Sequence, residues 1–219
     1  MRRLRLAVLA SGRGSNLQAI LDAIAGGRLA AEVAGVFSDR ASAQALERAQ
    51  AAGVPAHALS PRGFASRAAF DDALFAAVDA LGPDLVVCAG YMRLIDPGVI
   101  TPRAGRVINI HPSLLPAFKG LHTHRQALQA GVAEHGASVH FVSAELDGGP
   151  VIAQVRVPVA AGDDEATLAA RVLAREYPLM LATLRLFAGA RVALREDGVH
   201  VDGQVLRAPL QLSCNDAFA

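Results

Sequence analysis

The 219-residue chain is 53% hydrophobic, enough for a sizeable core in one large domain or two small ones, and carries a formal charge of +1. Without a basic excess it gives no sign of binding nucleic acid or an acidic surface, and no stretch reaches the ~18 unbroken apolar residues a membrane span needs. Two cysteines, Cys88 in an apolar run and Cys214 in a polar tail, have no metal-ligand spacing and make no disulfide framework, so a reduced, cytoplasmic protein is expected.

Arg2, Arg3 and Arg5 surround "LRLAVLA", which is too short for a spanning helix and meets a glycine turn at once; it reads as a first strand, not a signal peptide. The helical "LQAILDAIAGG" follows "SGRGSN". "EVAGVFS" is a second strand, "SAQALERAQAAG" a second helix and "PAHALS" a short run after it. From Phe70, the apolar positions Leu74, Phe75, Val78 and Leu81 keep helical spacing, with Ser66 as cap. "DLVVCAG" and "RVINIH" are apolar on both faces and β-branched, the mark of buried parallel strands. "ASVHFVS" and "VIAQVRVPV", separated by "AELDGGP", suggest antiparallel strands or a loop excursion. A long helix is expected from Glu165 to Ala188, then a hairpin or pair of short strands in "VALREDGVHVDGQVL" and a poorly constrained tail. This alternation predicts an α/β fold, doubly wound and mostly parallel, with an antiparallel C-terminal part.

Three clusters carry chemistry. Ser11, Gly12, Gly14, Ser15 and Asn16 lie between the first strand and first helix, where free helix N–H groups suit a phosphate. The pattern lacks the third glycine of a dinucleotide fingerprint and the lysine of a P-loop, so it fits a single phosphate, or else only a tight turn with a capping Ser or Asn. Asn109 and His111 alternate along an apolar strand and so share a side, just before Pro112. An amide and an imidazolium together can donate to an oxygen becoming negative; alternatively, both hold the following loop by hydrogen bonds. Asp147, before Gly148 and Gly149, is either a carboxylate brought in to keep an imidazole protonated or part of a plain turn. Glu176 falls in the middle of a helix face formed by Leu168, Val172, Leu179, Met180, Leu184 and Phe187, where a carboxylate needs an ion pair or a ligand. His122 and His124 diverge at a spacing of two and do not suggest a metal, His140 reads as a packed strand residue, and His57, His135 and His200 carry no signal.

With these residues assembled, the chain resembles the phosphoribosylglycinamide formyltransferases, a branch of the formyltetrahydrofolate-using superfamily. "NIHPSLLP" and "LDGGP" mark the superfamily and "SGRGSN" the ribonucleotide branch; "FSDR", "AGYMRLI", "GLHTHRQAL", "GASVHFV" and "RVLARE" extend the likeness over almost the whole chain. The resemblance implies one formyltransferase domain over 1–219: a nucleotide-binding half at 1–100, a catalytic and folate-binding half at 101–206, and a tail at 207–219. It implies a catalytic trio of Asn109, His111 and Asp147. Glycinamide ribonucleotide would be held by Gly14, Ser15, Asn16, Leu173, Arg175 and Glu176. The folate site would comprise Arg67, Met92, Arg93, Leu94, Ile95, Asn109, Ser143, Ala144, Glu145, Leu146 and Asp147. The implied reaction is formyl transfer from 10-formyltetrahydrofolate, a cosubstrate, to the ribonucleotide amine, with Asn109 and protonated His111 stabilising the oxyanion and Asp147 keeping His111 charged. No metal and no tightly bound cofactor is expected. The partners expected are small molecules, with neither nucleic acid nor membrane, in a monomer or homodimer. The family's glutamate is usually followed by histidine, where this chain has Tyr177, and "PLML" beyond it also departs from the pattern.

Two alternatives stand beside this reading. A formyltetrahydrofolate hydrolase, or a transferase acting on another amine, would share the trio but has no need of "SGRGSN" and Glu176; a tRNA-formylating enzyme would need a further C-terminal domain, and this chain ends at Ala219 with no basic segment. A catalytically silent folate- or nucleotide-binding protein would bind ligand without turnover.

Overall fold

β-branched and leucine-rich runs give strands where both faces are covered, and the computed structural model, which describes residues 2–218, contains them as the sequence predicts. The chain divides into two compact units, 1–109 and 110–219, the division falling inside one strand.

The first unit alternates strands β1 (Leu4–Leu9), β2 (Ala31–Ser38), β3 (Ala56–Ala58), β4 (Leu85–Cys88) and β5 (Val107–His111) with helices α1 (Ser15–Ala25), α2 (Gln44–Ala51), α3 (Arg67–Asp79) and the single turn α4 (Pro97–Ile100). The strands are parallel, in the order β3-β2-β1-β4-β5. The chain moves outward from β1 to β3, then returns to the other side of β1, so order reverses between β1 and β4. That reversal defines a doubly wound sheet and creates a crevice at the strands' carboxyl ends. Ser66 caps α3 as expected, its Oγ accepting the Ala69 N–H at 3.1 Å. Phe70, Leu74, Phe75 and Val78 bury the inner face of that helix.

In the second unit, β6 (Glu134–Phe141) and β7 (Val151–Pro158) pair antiparallel, and the 24-residue α6 (Glu165–Ala188) packs against them after a short α5 (Thr123–Gln129). Asp164 caps α6 by accepting the Thr167 N–H at 2.7 Å. β8 (Val192–Arg195), β9 (Gly198–Val201) and β10 (Gln204–Val205) form a small antiparallel sheet, the expected hairpin extended by one strand. The tail differs from the expectation of a poorly constrained segment. β11 (Leu210–Gln211) pairs parallel with β7, Leu212 is buried, and the Leu212 N–H donates to the Gln154 carbonyl at 2.8 Å. Two residues carry too little periodicity to announce a strand; backbone groups on the edge of β7 recruit it.

Candidate active site

Two loops flank the reversal in the first unit. The loop after β1 enters α1 through Gly14, which caps the helix in the left-handed conformation at φ 69 with no side-chain capping bond. That disposes of the simpler expectation that Ser or Asn caps this helix. Glycine is required there twice over, because a Cβ would also lie 2.7 Å from the Ala45 Cβ. The Ala45 N–H donates to the Gly12 carbonyl at 3.0 Å and Arg48 Nε to the Arg13 carbonyl at 2.7 Å, so α2 clamps the loop. The first N–H groups of α1, at Ser15 and Asn16, therefore stand at a positive helix end.

The second loop, 90–96, follows β4. Ser11 joins the two: its N–H donates to the Gly90 carbonyl at 3.0 Å and its Oγ accepts the Met92 N–H at 2.9 Å. Side chains of the loop alternate, with Met92 and Leu94 exposed (61% and 42%) and Ile95 buried; the Arg93 guanidinium lies 5.0 Å over the Phe70 ring. Arg67 sits 3.5 Å from the Asp96 carboxylate.

Strand β5 carries Asn109, half-buried, and two residues on His111, which is 6% exposed. His111 Nε2 faces the Phe118 carbonyl oxygen at 3.0 Å and Nδ1 faces Asp147 Oδ2 at 3.5 Å. Both ring nitrogens thus face oxygen atoms, Nε2 a backbone carbonyl and Nδ1 a carboxylate. The loop supplying Phe118 is anchored by a buried polar network. Ser138 Oγ donates to the Ser113 carbonyl and accepts the Leu115 N–H, while Gln154 Nε2 donates to the Leu115 carbonyl. Farther along, Phe118 and His122 adopt φ of 54 and 59.

Asp147 reaches His111 from the loop between β6 and β7. Its own φ is 46, and Gly149 passes so close to the end of β6 that a Cβ would stand 1.8 Å from the Phe141 oxygen. Only glycine tolerates that approach, which turns Asp147 inward. Its Oδ2 accepts the Gly120 N–H at 2.9 Å, and its Oδ1 lies 3.7 Å from His140 Nε2. Of the neighbouring loop residues, Ser143 is half-buried and Ala144, Glu145 and Leu146 are exposed, with Lys119 Nζ on Glu145 at 2.6 Å.

On α6, Glu176 is 8% exposed, in agreement with its place on the apolar face. Leu173 is half-buried. Arg175 turns to the tail, where it donates to the Ser213 carbonyl at 2.7 Å and pairs with Asp216 at 2.9 Å. Tyr177 is half-buried, and Pro178 sits inside the helix without ending it.

Three buried groups make contacts that sequence reasoning did not foresee, although one of them, His140, was expected to be a packed strand residue. His140 is a packed strand residue, 2% exposed, but also faces Asp147; burial holds its pKa below the usual histidine value. His135, fully buried, meets His124 at 3.2 Å, and burial followed by repulsion from that ring pulls its pKa down to about 4. Asp71, fully buried on α3, has its pKa raised by desolvation against the opposing pull of the Asp96 N–H, Arg93 and Arg67. Of His135 and Asp71, Asp71 alone left a sequence signal: it precedes Leu74 and Phe75 by three and four residues, on the core face. No group of three or more metal-ligating side chains occurs among the described residues, and no described helix is long and apolar enough to cross a membrane.

Comparison with known proteins gives this geometry a family. Residues 4–184 match the formyl transferase family model. The chain is 49% identical over 203 residues to the phosphoribosylglycinamide formyltransferase of Escherichia coli, covering 93% of this chain and 96% of that protein. It superposes on the phosphoribosylglycinamide formyltransferase of Coxiella burnetii with a TM-score of 0.90 at 44% identity, covering 93% of this chain and 96% of that one. A formyltetrahydrofolate deformylase from Pseudomonas syringae aligns with a TM-score of 0.83 at 28% identity, over 91% of this chain and 66% of that one. Fold and sequence together make this chain a member of the phosphoribosylglycinamide formyltransferase family of transferases.

Proposed function

We propose that the protein transfers the formyl group of 10-formyltetrahydrofolate to the amine of 5'-phosphoribosylglycinamide, a step of purine biosynthesis, in the cytoplasm, working as one formyltransferase domain. The observation that carries the reading is His111 held between the Phe118 carbonyl and the Asp147 carboxylate, two residues beyond Asn109 on the same strand. The ribonucleotide phosphate binds the N–H groups of Gly14, Ser15 and Asn16. Glu176 takes the sugar hydroxyls, with Leu173 and Arg175 beside it. Arg67, the 92–95 backbone and the 143–147 loop hold the folate.

In the reaction the amine nitrogen attacks the formyl carbon, a C–N bond forms, and negative charge grows on the formyl oxygen. The Asn109 amide N–H and a His111 ring N–H donate to that oxygen. For His111 to do so, its Nε2–H must exchange the Phe118 carbonyl for the formyl oxygen, and Asp147 retains its hold on Nδ1. The bond from the formyl carbon to N10 of the folate then breaks. The proton lost by the amine reaches N10 through water and the His111–Asp147 pair, leaving tetrahydrofolate and the formylated ribonucleotide.

Loss of one oxyanion donor typically costs ~10²–10³ in turnover, which is the expectation for Asn109→Ala. His111→Ala and Asp147→Ala should abolish transfer with folding intact, and near-normal turnover in either soluble variant would sink the mechanism. The acceptor is tested by following loss of 10-formyltetrahydrofolate with and without the ribonucleotide. Turnover that requires the ribonucleotide supports the transferase. An equal rate without it would mean a hydrolase, like the deformylase whose fold this chain shares.

A further inference from the structure

We propose that Asp71 is a positioning residue for the 90–96 loop and thereby sets the affinity for the folate cosubstrate, an assignment that rests on the reading of this loop as part of the folate site. Asp71 lies on the core face of α3 and is fully buried. A carboxylate in such a place is costly unless its charge and lone pairs are answered. Its backbone hydrogen bond comes from the end of the loop, and Oδ1 is buried without a hydrogen-bond partner, so that single bond and the nearby guanidinium groups carry the burden. Oδ2 accepts the Asp96 backbone N–H at 2.8 Å, while the charges of Arg93 and Arg67 act on the carboxylate, opposed by that of Asp96. Asp96 is the point where the loop ends and α4 begins, its own side chain accepting the Gly98 N–H at 2.9 Å.

The loop is therefore pinned twice, by Ser11 at Gly90 and Met92 and by Asp71 at Asp96. Between the pins, Arg93 turns inward over Phe70, within the field of Asp71, and Ile95 is buried; Met92 and Leu94 are pushed outward. Turning Arg93 out would reverse that alternation. The buried carboxylate thus selects which edge of the loop, and which backbone groups, face a ligand. Asp71 touches no reacting atom in this scheme, so its effect belongs in binding and not in the chemical step.

The test compares wild type with Asp71→Asn and Asp71→Leu in steady-state formyl transfer, varying each substrate at saturating levels of the other. Asparagine keeps an acceptor for the Asp96 N–H but loses the charge; leucine loses both. The expected result is a folate KM raised about three- to tenfold in Asp71→Asn and by more than about tenfold in Asp71→Leu, with kcat and the ribonucleotide KM within about twofold of wild type. A folate KM within about twofold of wild type in a folded variant overturns the proposal, as does a fall in kcat accompanied by a rise in both KM values. Where Asp71→Leu does not fold, the near-isosteric Asp71→Asn carries the test alone. Wild-type protein that turns over no formyl-folate would overturn the function proposed above, and this inference with it.

Discussion

At the scale of single residues, the chain depends on positions where one atom more or less changes the backbone. Gly14 is the sharpest case, since its left-handed φ and the 2.7 Å approach of Ala45 both exclude a side chain. Gly14→Ala should destabilise the fold by about 1–3 kcal/mol, read from denaturant midpoints, and raise the ribonucleotide KM more than the folate KM. Equal KM values with unchanged stability would mean that the loop is softer than its clamp at Ala45 and Arg48 implies. The two thiols should separate as cleanly. Burial pushes the Cys88 thiol up to about 12, whereas Cys214 is exposed. A colorimetric thiol reagent should therefore titrate one thiol in the native state and the second only after unfolding.

At the scale of elements, the sequence announces what repeats and hides what depends on distant neighbours. Strands β1, β2, β4 and β5 and the helix from Glu165 to Ala188 were legible because apolar runs and apolar periodicity extend over several residues, whereas β3, three residues reading AHA, announced only a short run. Glu176 was legible for the same reason, as a carboxylate interrupting an apolar face. β11 was not, being two residues long and defined by β7 and not by its own pattern. The Phe118 carbonyl on His111 and the contacts of His135 and Asp71 were equally hidden, because each arises where segments remote in sequence meet. The ordered tail has a testable role. Truncation after residue 206 removes β11, Leu212 and both anchors of Arg175, which adjoins Glu176. The thermal midpoint should fall, and the ribonucleotide KM should rise while the folate KM holds; an unchanged midpoint would contradict the packing of Leu212 and β11.

At the scale of the whole molecule, buried histidines shape the response to acid. His135 has a folded-state pKa of about 4 against 6.5 for the free side chain, and burial lowers those of His124 and His140 as well. Between these values the unfolded chain binds a proton that the folded chain refuses. The contribution is therefore fully present above pH 6.5 and is lost as pH falls toward about 4, with a slope of at most about 1.4 kcal/mol per pH unit from His135. Urea midpoints should drop between pH 7 and pH 5, and His135→Gln should flatten that drop; an equally steep fall in the variant would assign the acid sensitivity elsewhere. Ser11 has a consequence of another kind. One hydroxyl and one amide tie the loop at the head of α1 to the loop after β4, so a displacement of either is felt by the other. If a ribonucleotide occupies the first and a folate the second, thermodynamic reciprocity requires each to change the dissociation constant of the other by the same factor. Titrating each in the presence of the other would measure that factor, and Ser11→Ala should bring it toward one; a factor unchanged by the substitution would mean that this hydroxyl is not the link between the two loops.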